Sequence, residues 1–260
     1  MAAPIHLPVR TIRGQVSDTE WETRVDLAAA YRLVAKYGMT DMIYNHITAR
    51  VPGQNEQFLI NPYGLLYTEI TASSLYKINL QGEVISKPDL PYPVNGPGYL
   101  IHSAVHGARH DVGCVLHTHT RAGLAVAAMK CGLLPLSQTA MRFYGRIAYH
   151  DYEGVVSAEQ EKESLVRDLG EQDALILRNH GLLTCGRSIA EAFNLMYWLD
   201  NACKAQVDAL AANTELTIPS PEIAQISAHL FAPGVRRTYG EMEWPTLLRQ
   251  LDREDASFRQ

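Results

Sequence analysis

Three histidines that follow apolar segments are the residues whose type and spacing most strongly predict chemistry. His117 and His119 close the apolar run 112–116, and His180 comes shortly after the apolar run 174–177. Alternate residues of a strand point to the same face, so the first two imidazoles would leave the end of a strand side by side. If both runs are strands that end at one sheet edge, the three imidazoles can bind one divalent cation and leave a coordination position open. Zinc is the expected ion, with manganese, iron, cobalt or nickel as alternatives.

These histidines could instead simply cap their strands. That interpretation would be preferred for a single histidine, because isolated histidines have many structural roles. Two histidines in register, together with a third in a matching context, favour the metal site.

A further pair of histidines lies upstream of the predicted metal ligands. His102 and His106 are four residues apart in a predicted helix over 98–108, a spacing that can itself hold a metal. We expect His102 to face the sheet and to make a hydrogen bond that fixes the tautomer of a metal-binding imidazole. His106 is expected to be partly exposed, and the polar contexts of His110 and His150 suggest no role for them.

Helical and strand patterns alternate along the chain and predict an α/β layered protein. A capping box at Ser17-x-x-Glu20 begins the first helix, which is expected to stop before Gly38. Further strands are predicted over 43–51 and 57–60, a hairpin over 78–85, and further helices over 98–108, 121–131, 157–170 and 188–212.

Length and composition predict one main domain. The chain has 260 residues, 47% of them hydrophobic, and can therefore bury one substantial core. We expect this domain to cover 1–212, of which roughly the first 20 residues form an extension. A short appendage over 213–260, with one short helix before its last residues, is expected to pack on the same domain.

Composition and charge also exclude several classes of protein. No apolar segment approaches the roughly 18 residues of a membrane span, and residues 1–14 lack the apolar core of a secretory signal. The net charge of −5, without a basic cluster, argues against a nucleic-acid partner. The four cysteines form no C-x-x-C pair, so we expect buried thiols and a cytoplasmic location.

Longer blocks of sequence resemble one known family. The blocks cover 61–67, 71–75, 128–135, 148–152 and 177–182. Together with the H-T-H at 117–119 and the N-H-G at 179–181, they resemble the class II aldolase/adducin family, and more closely adducin head domains and bacterial adducin-like proteins. The resemblance implies a three-layer α/β/α sandwich with a mixed, largely antiparallel sheet, and it implies that the three histidines are metal ligands. It also implies a homotetramer with active sites between subunits, for which the aromatic and arginine-rich segment 141–152 is the expected interface.

The sequence departs from the aldolases of this family where they bind phosphate and transfer protons. Those enzymes use a glutamate as acid and base, and it follows a pair of serines that help to bind phosphate. The corresponding stretch here, 92–98, has neither a carboxylate nor a serine pair, and Tyr63 stands where a serine would bind phosphate. Loss of such a base costs a factor of roughly 10² to 10⁴ in rate. Asn45 is retained, and with Tyr63 and Asn95 it would line a pocket for an unphosphorylated substrate.

Two functions from different classes are compatible with these residues. The first is a metal-dependent lyase, acting by aldol cleavage or decarboxylation on a small unphosphorylated carbonyl or carboxylate compound. Arg178, predicted to lie on the same strand face as His180, could hold the substrate carboxylate. Tyr149 or Tyr152, in a segment that the resemblance places near a neighbouring active site, could donate a proton or could simply pack. The second is a noncatalytic scaffold of the adducin-head type, linked to the actin cytoskeleton, with a relict metal site. Adducins bind actin partly through a long basic tail, which is not found here, so the enzyme is favoured.

Overall fold

The computed structural model describes residues 9–154 and 158–260. Residues 1–8 of the predicted extension and Ser157, the predicted first residue of a helix, lie outside the described residues. The helices are α1 (Asp18–Lys36), α2 (Gly96–Ala108), α3 (Arg121–Ala127), α4 (Gln138–Met141), α5 (Ala158–Leu169), α6 (Ile189–Ala211), α7 (Pro221–His229) and α8 (Glu243–Glu254). The predicted cap of α1 is present, because the Ser17 hydroxyl accepts a hydrogen bond from the Glu20 amide. Within the described ranges, no helix is long and apolar enough to cross a membrane.

One mixed sheet forms the centre of the described structure. Its strands are β1 (Ile47–Arg50), β2 (Gln57–Ile60), β3 (Tyr76–Asn79), β4 (Val84–Ser86), β5 (Cys114–Thr118), β6 (Ala148–His150), β7 (Ala174–Leu177) and β8 (Gly181–Gly186). They lie in the order β4-β3-β2-β1-β5-β8-β7-β6. β6 and β7 pair in parallel, whereas the other neighbouring pairs are antiparallel. The predicted mixed, largely antiparallel sheet is confirmed.

Helices cover both faces of this sheet. α1, α3 and α6 pack on one face, where Leu116 and Ile176 join their apolar side chains. α2 and α5 pack on the other face, near Val115 and Leu175. Neighbouring residues of a strand point to opposite faces, which is why Val115 and Leu116 belong to different apolar clusters. The predicted three-layer α/β/α sandwich is confirmed.

Three elements differ from the predicted ones. β1 begins only at Ile47, because Met42 and Asn45 have positive φ angles of 47° and 66° that interrupt an extended strand. α3 ends at Ala127, earlier than predicted, because the chain turns directly after it. The C-terminal segment contains both α7 and α8 instead of one short helix.

The last residues of the chain pack against α1 and against the segment before β3. Phe258 is fully buried, and its carbonyl accepts a hydrogen bond of 2.9 Å from the Ala72 amide. Arg32 on α1 donates to the side chains of Asp255 and Ser257, at 3.2 and 3.1 Å. The end of the chain therefore contributes to the same apolar core as α1.

Candidate metal centre

The sheet topology brings the three predicted metal ligands to one edge. β5 and β7 run parallel to each other, because each pairs antiparallel with β8 between them. His117 lies in β5, and His119 follows the end of that strand. His180 lies in the tight turn between β7 and β8, where Asn179 adopts a left-handed φ of 57°. Since β8 starts beside the end of β5, this turn holds His180 next to the other two histidines.

The three imidazoles form a compact cluster. Potential ligand nitrogens of His117, His119 and His180 all lie within 4.8 Å of one another. The ring centroids of the three pairs are 4.7, 4.8 and 5.0 Å apart. The Nε2 atoms of His117 and His119 approach to 2.9 Å. Three imidazoles that converge in this way can hold a metal ion.

Acceptors on the outer side of two rings determine where their protons lie. Nδ1 of His117 is 2.8 Å from the carbonyl oxygen of Leu182, and Nδ1 of His119 is 3.1 Å from Oδ2 of Asp41. Because both partners are acceptors, each neutral ring carries its proton on Nδ1 and has a bare Nε2. Two Nε2 lone pairs then face each other, an arrangement that a shared cation would stabilise. The donor set therefore fits a divalent metal.

Burial keeps His117 and His180 neutral. Desolvation, reinforced by the neighbouring His180 and His119, holds the pKa of His117 well below its usual value. Desolvation also lowers the pKa of His180 to about 4, and His119 and His150 add to the effect. A histidine binds metal through an unprotonated nitrogen, so these residues are ready to bind at neutral pH.

The cluster opens on a cavity of about 370 Å³, a volume suited to a small molecule. Asn45 and Asn95 line this cavity, as the sequence predicts for a substrate pocket. The side chain of Asn45 is buried and has no hydrogen bond to a described residue, whereas Asn95 accepts one from the Gly98 amide and caps α2. Tyr63 is not among the described residues of the cavity wall. Its ring lies near that of Tyr44, and Tyr44 does line the cavity.

The structure places Tyr149 outside the cavity. Its hydroxyl accepts a hydrogen bond of 3.1 Å from the Leu133 amide, and its ring packs with the α1, α3 and α6 layer. Alternation along β6 explains this orientation, because the adjacent His150 points to the opposite face and lines the cavity. Tyr149 therefore does not reach this chain's own cavity, and its role as a proton donor at a neighbouring active site stays a prediction.

Arg178 does line the cavity, but its guanidinium has other partners. Nη1 donates to the Met129 carbonyl at 2.6 Å, and the group stacks over the ring of Tyr149 at 4.3 Å. The predicted strand alternation between Arg178 and His180 is wrong, because both residues belong to the turn that follows β7.

His102 and His106 form a buried pair linked by Thr48. The Thr48 hydroxyl is 2.8 Å from Nδ1 of His102 and 2.8 Å from Nε2 of His106. The prediction that His102 fixes the tautomer of a metal ligand is wrong, since Nδ1 of His102 bonds Thr48 and its Nε2 has no described partner. His106 was expected to be partly exposed, but it is 1% exposed because it packs between α2 and the sheet, stacked on the ring of Phe58.

Asp41, His46 and His150 are candidate functional residues for which the sequence predicted no role. Asp41 is 78 residues from the imidazole that it contacts. His46 is buried on the cavity wall, and its ring occupies the space into which a Cβ at Gly98 would project. No periodic pattern marks Asp41 or His46, because both lie in an irregular segment. His150 did carry a signal, since it ends a strand at the same sheet edge as the ligands.

Comparisons with known proteins agree with this architecture. The family model described as "Class II Aldolase and Adducin N-terminal domain" matches residues 25–207. A Pseudomonas aeruginosa protein, named provisionally as an aldolase class 2 protein, is 51% identical over 98% of this chain and 99% of its own length. Alpha-adducin of Rattus norvegicus is 43% identical over 94% of this chain, which corresponds to only 35% of the adducin.

Solved structures are similar over nearly the whole chain. An aldolase II superfamily protein from Pseudomonas syringae has a TM-score of 0.89 at 47% identity, covering 96% of this chain and 99% of its own. L-fuculose 1-phosphate aldolase from Glaciozyma antarctica has a TM-score of 0.82 at 26% identity, with coverages of 98% and 97%.

Proposed function

Because this chain belongs to the class II aldolase and adducin family, we propose that it is a divalent-metal-dependent lyase. The proposed substrate is a small unphosphorylated compound in which a carbonyl or hydroxyl group lies beside a carboxylate. The reaction is cleavage of a carbon–carbon bond, by aldol cleavage or by decarboxylation. The observation that carries this proposal is the cluster of His117, His119 and His180, which opens on a cavity of small-molecule size.

The residues of the cavity have complementary roles in this proposal. His117, His119 and His180 hold the ion, for which zinc is the expected metal. When bound, the metal supplies a Lewis acid that polarises a carbonyl or carboxylate oxygen. The buried amide of Asn45 offers hydrogen bonds to the substrate, and the charge of Arg178 attracts its carboxylate.

Two features of the cavity support an unphosphorylated substrate. The stretch 92–98 contributes Asn95 and Gly98 to the wall, where the aldolases of this family have serines and a carboxylate. The ring of His46 fills the space beside Gly98, so a larger residue there would displace it. Although L-fuculose 1-phosphate aldolase is similar in structure, we expect no retro-aldol activity on fuculose or ribulose phosphates.

A substrate panel tests this proposal. The protein, loaded with Zn²⁺ or Mn²⁺, is incubated with phosphosugars, keto acids and hydroxyaromatic acids, and compared with His119→Ala and with the surface control His229→Ala. We expect metal-dependent turnover of an unphosphorylated acid that His119→Ala loses and the control keeps. Robust metal-dependent cleavage of a sugar phosphate would contradict the proposed substrate class.

A noncatalytic scaffold is the second candidate, and the similarity to alpha-adducin over 94% of this chain favours it. In that case the histidine cluster is a relict site, and the protein binds a cytoskeletal partner. The two candidates differ in the same panel, since the scaffold predicts no turnover of any compound. Cosedimentation with actin filaments would then be the expected positive result.

We also propose that the protein is a homotetramer. The segment around β6 supports this, because it combines arginine and tyrosine side chains, which are enriched in interfaces, with an exposed Tyr152 at the cavity wall. Light scattering at micromolar concentration should give the mass of four chains. A monomer under those conditions would contradict the proposal.

A further inference from the structure

We propose that His150, oriented by Asp168, is the acid–base residue of this cavity. This inference rests on the proposed lyase function and supplies the proton transfer for which the stretch 92–98 has no carboxylate. The polar residues around His150 predict no role for it, although its place at the end of a strand could have pointed to one.

The topology places His150 at the metal centre. β6 is the outermost strand of the sheet and runs parallel to β7, with His150 opposite Leu177. The carboxyl ends of β5, β6 and β7 therefore lie on the same side of the sheet. Ala148 and His150 are buried on the face covered by α2 and α5, the face to which His117 also points. His150 therefore lines the cavity together with His117 and His180.

A carboxylate fixes the orientation of the His150 ring. Nδ1 of His150 is 2.8 Å from Oδ2 of Asp168 on α5, and His150 is only 6% exposed. Burial raises the pKa of Asp168, but hydrogen bonds from His150 and Arg167 lower it by more. The pKa is therefore below its usual value, and the carboxyl is ionised at neutral pH. An ionised carboxylate accepts the Nδ1 proton and leaves Nε2 as the basic nitrogen. A base oriented by a third group is the usual arrangement for proton transfer.

Three other titratable groups on the cavity wall are less suited to this role. His119 also has a carboxylate partner, but its Nε2 faces His117 within the cluster. Glu153 accepts a hydrogen bond from Ser164, which directs its carboxylate toward α5. The ring of His46 has no carboxylate partner among its described hydrogen bonds. The backbone carbonyl of His46 accepts a hydrogen bond from the His117 amide.

The proton transfer balances without an additional reactant. In aldol cleavage, Nε2 takes the hydroxyl proton of the substrate, and the electron pair of the O–H bond forms the new carbonyl. The pair of the broken carbon–carbon bond passes to the neighbouring carbonyl group. The imidazolium of His150 then returns its proton to the carbon that lost its bond. The last proton transfer can also run in reverse. When a ketone is bound without an aldehyde, Nε2 of His150 removes a proton from the carbon next to the ketone carbonyl.

Deuterium exchange into pyruvate isolates this step. The zinc-loaded protein is incubated with pyruvate in D₂O, and loss of the methyl proton signal is followed by NMR. His150→Gln should slow the exchange by about 10² to 10⁴ at saturating pyruvate, with little change in the half-saturating concentration. Asp168→Asn should slow it by at least about tenfold. The surface variant His229→Gln should match the wild type, and zinc content should be unchanged in all three.

A second measurement needs neither metal nor turnover. In histidine-labelled, metal-free protein, long-range proton–nitrogen NMR should show neutral His150 protonated on Nδ1, and Asp168→Asn should shift this tautomer. A His150 protonated on Nε2 would overturn the inference regardless of activity.

The possible failures of this inference and of the proposed function are distinguishable. Exchange that persists in His150→Gln overturns the role of His150 and leaves the lyase intact. If the wild type exchanges no protons but turns over an acid in the substrate panel, the inference is again overturned and the lyase stands. If it does neither, both fail.

Discussion

At the scale of single residues, hydrogen bonds on the outer side of each imidazole determine which nitrogen can bind a metal. Asp41 makes this contact to His119, with 3.1 Å between Oδ2 and Nδ1. Partners of this kind raise the basicity of the ligand and fix its ring.

Asp41→Asn should therefore weaken zinc binding by about 10- to 100-fold, because a neutral amide holds the Nδ1 proton less strongly. Titration against a chromophoric chelator measures the change, and Asp208→Asn on the exposed surface of α6 is the matched control. Equal zinc affinities of Asp41→Asn and the wild type would show that Asp41 does not orient the ligand.

His106 makes stability depend on pH. Burial lowers the pKa of His106 to about 3, while an unfolded chain has the usual value of about 6.5. Between these values the unfolded state binds the additional proton, so stability is complete above about pH 6.5 and falls as the pH falls toward 3, by up to about 1.4 kcal/mol per unit. Urea unfolding at pH 7.5 and 5 should show a smaller loss for His106→Gln than for the wild type. Equal losses in the two proteins would contradict this.

The residue types of the site could be predicted, but their partners could not. His117, His119 and His180 are recognisable from their positions after apolar runs. The contacts that orient them come from Asp41 and from the Leu182 carbonyl, which only the folded chain brings close.

At the scale of elements, the β7–β8 turn positions one metal ligand. Gly181 follows His180 with a φ of 154°, and a Cβ there would lie 2.5 Å from the Thr118 carbonyl oxygen of β5. The close approach of β5 and this turn therefore requires a glycine.

Gly181→Ala should lower the free energy of unfolding by at least about 1–2 kcal/mol and should weaken zinc binding, because the turn must move away from β5. Gly145→Ala is the matched control, since Gly145 also has a positive φ of 68° but no atom within 4 Å of its Cβ position. Loss of stability in both variants, with zinc binding kept in Gly181→Ala, would show that the turn does not position the ligand.

The sequence predicts whether a segment is a helix or a strand better than it predicts where the segment ends or which of its faces borders the cavity. The runs 57–60 and 174–177 correspond to β2 and β7 as predicted. The two-residue period also predicts that Tyr149 and His150 point to opposite faces, but not which face has the cavity. That choice depends on how β6 pairs with β7, a contact between distant parts of the chain.

At the scale of the whole molecule, the C-terminal segment and α1 share one core, as the contacts of Phe258 and Arg32 indicate. The family resemblance is confirmed, and it accounts for the overall layering. The second C-terminal helix was missed, although the apolar residues Trp244, Leu247, Leu248 and Leu251 of α8 recur at helical spacing.

Phe258→Ala should destabilise the entire protein by about 3–5 kcal/mol, since the ring is fully buried. Circular dichroism and tryptophan fluorescence should report one coincident unfolding transition. Leu230→Ala, at a residue that is 60% exposed, should change the stability by less than about 0.5 kcal/mol. Two separate transitions would indicate that the appendage folds independently.

The metal content of the protein tests the central claim most directly. Elemental analysis of protein purified without chelators should find about one equivalent of zinc, or of another divalent transition metal, per chain. His119→Ala should lose this metal, and the surface control His229→Ala should retain it. Less than about a tenth of an equivalent in the wild type, not restored by added zinc or manganese, would contradict a metal centre at His117, His119 and His180.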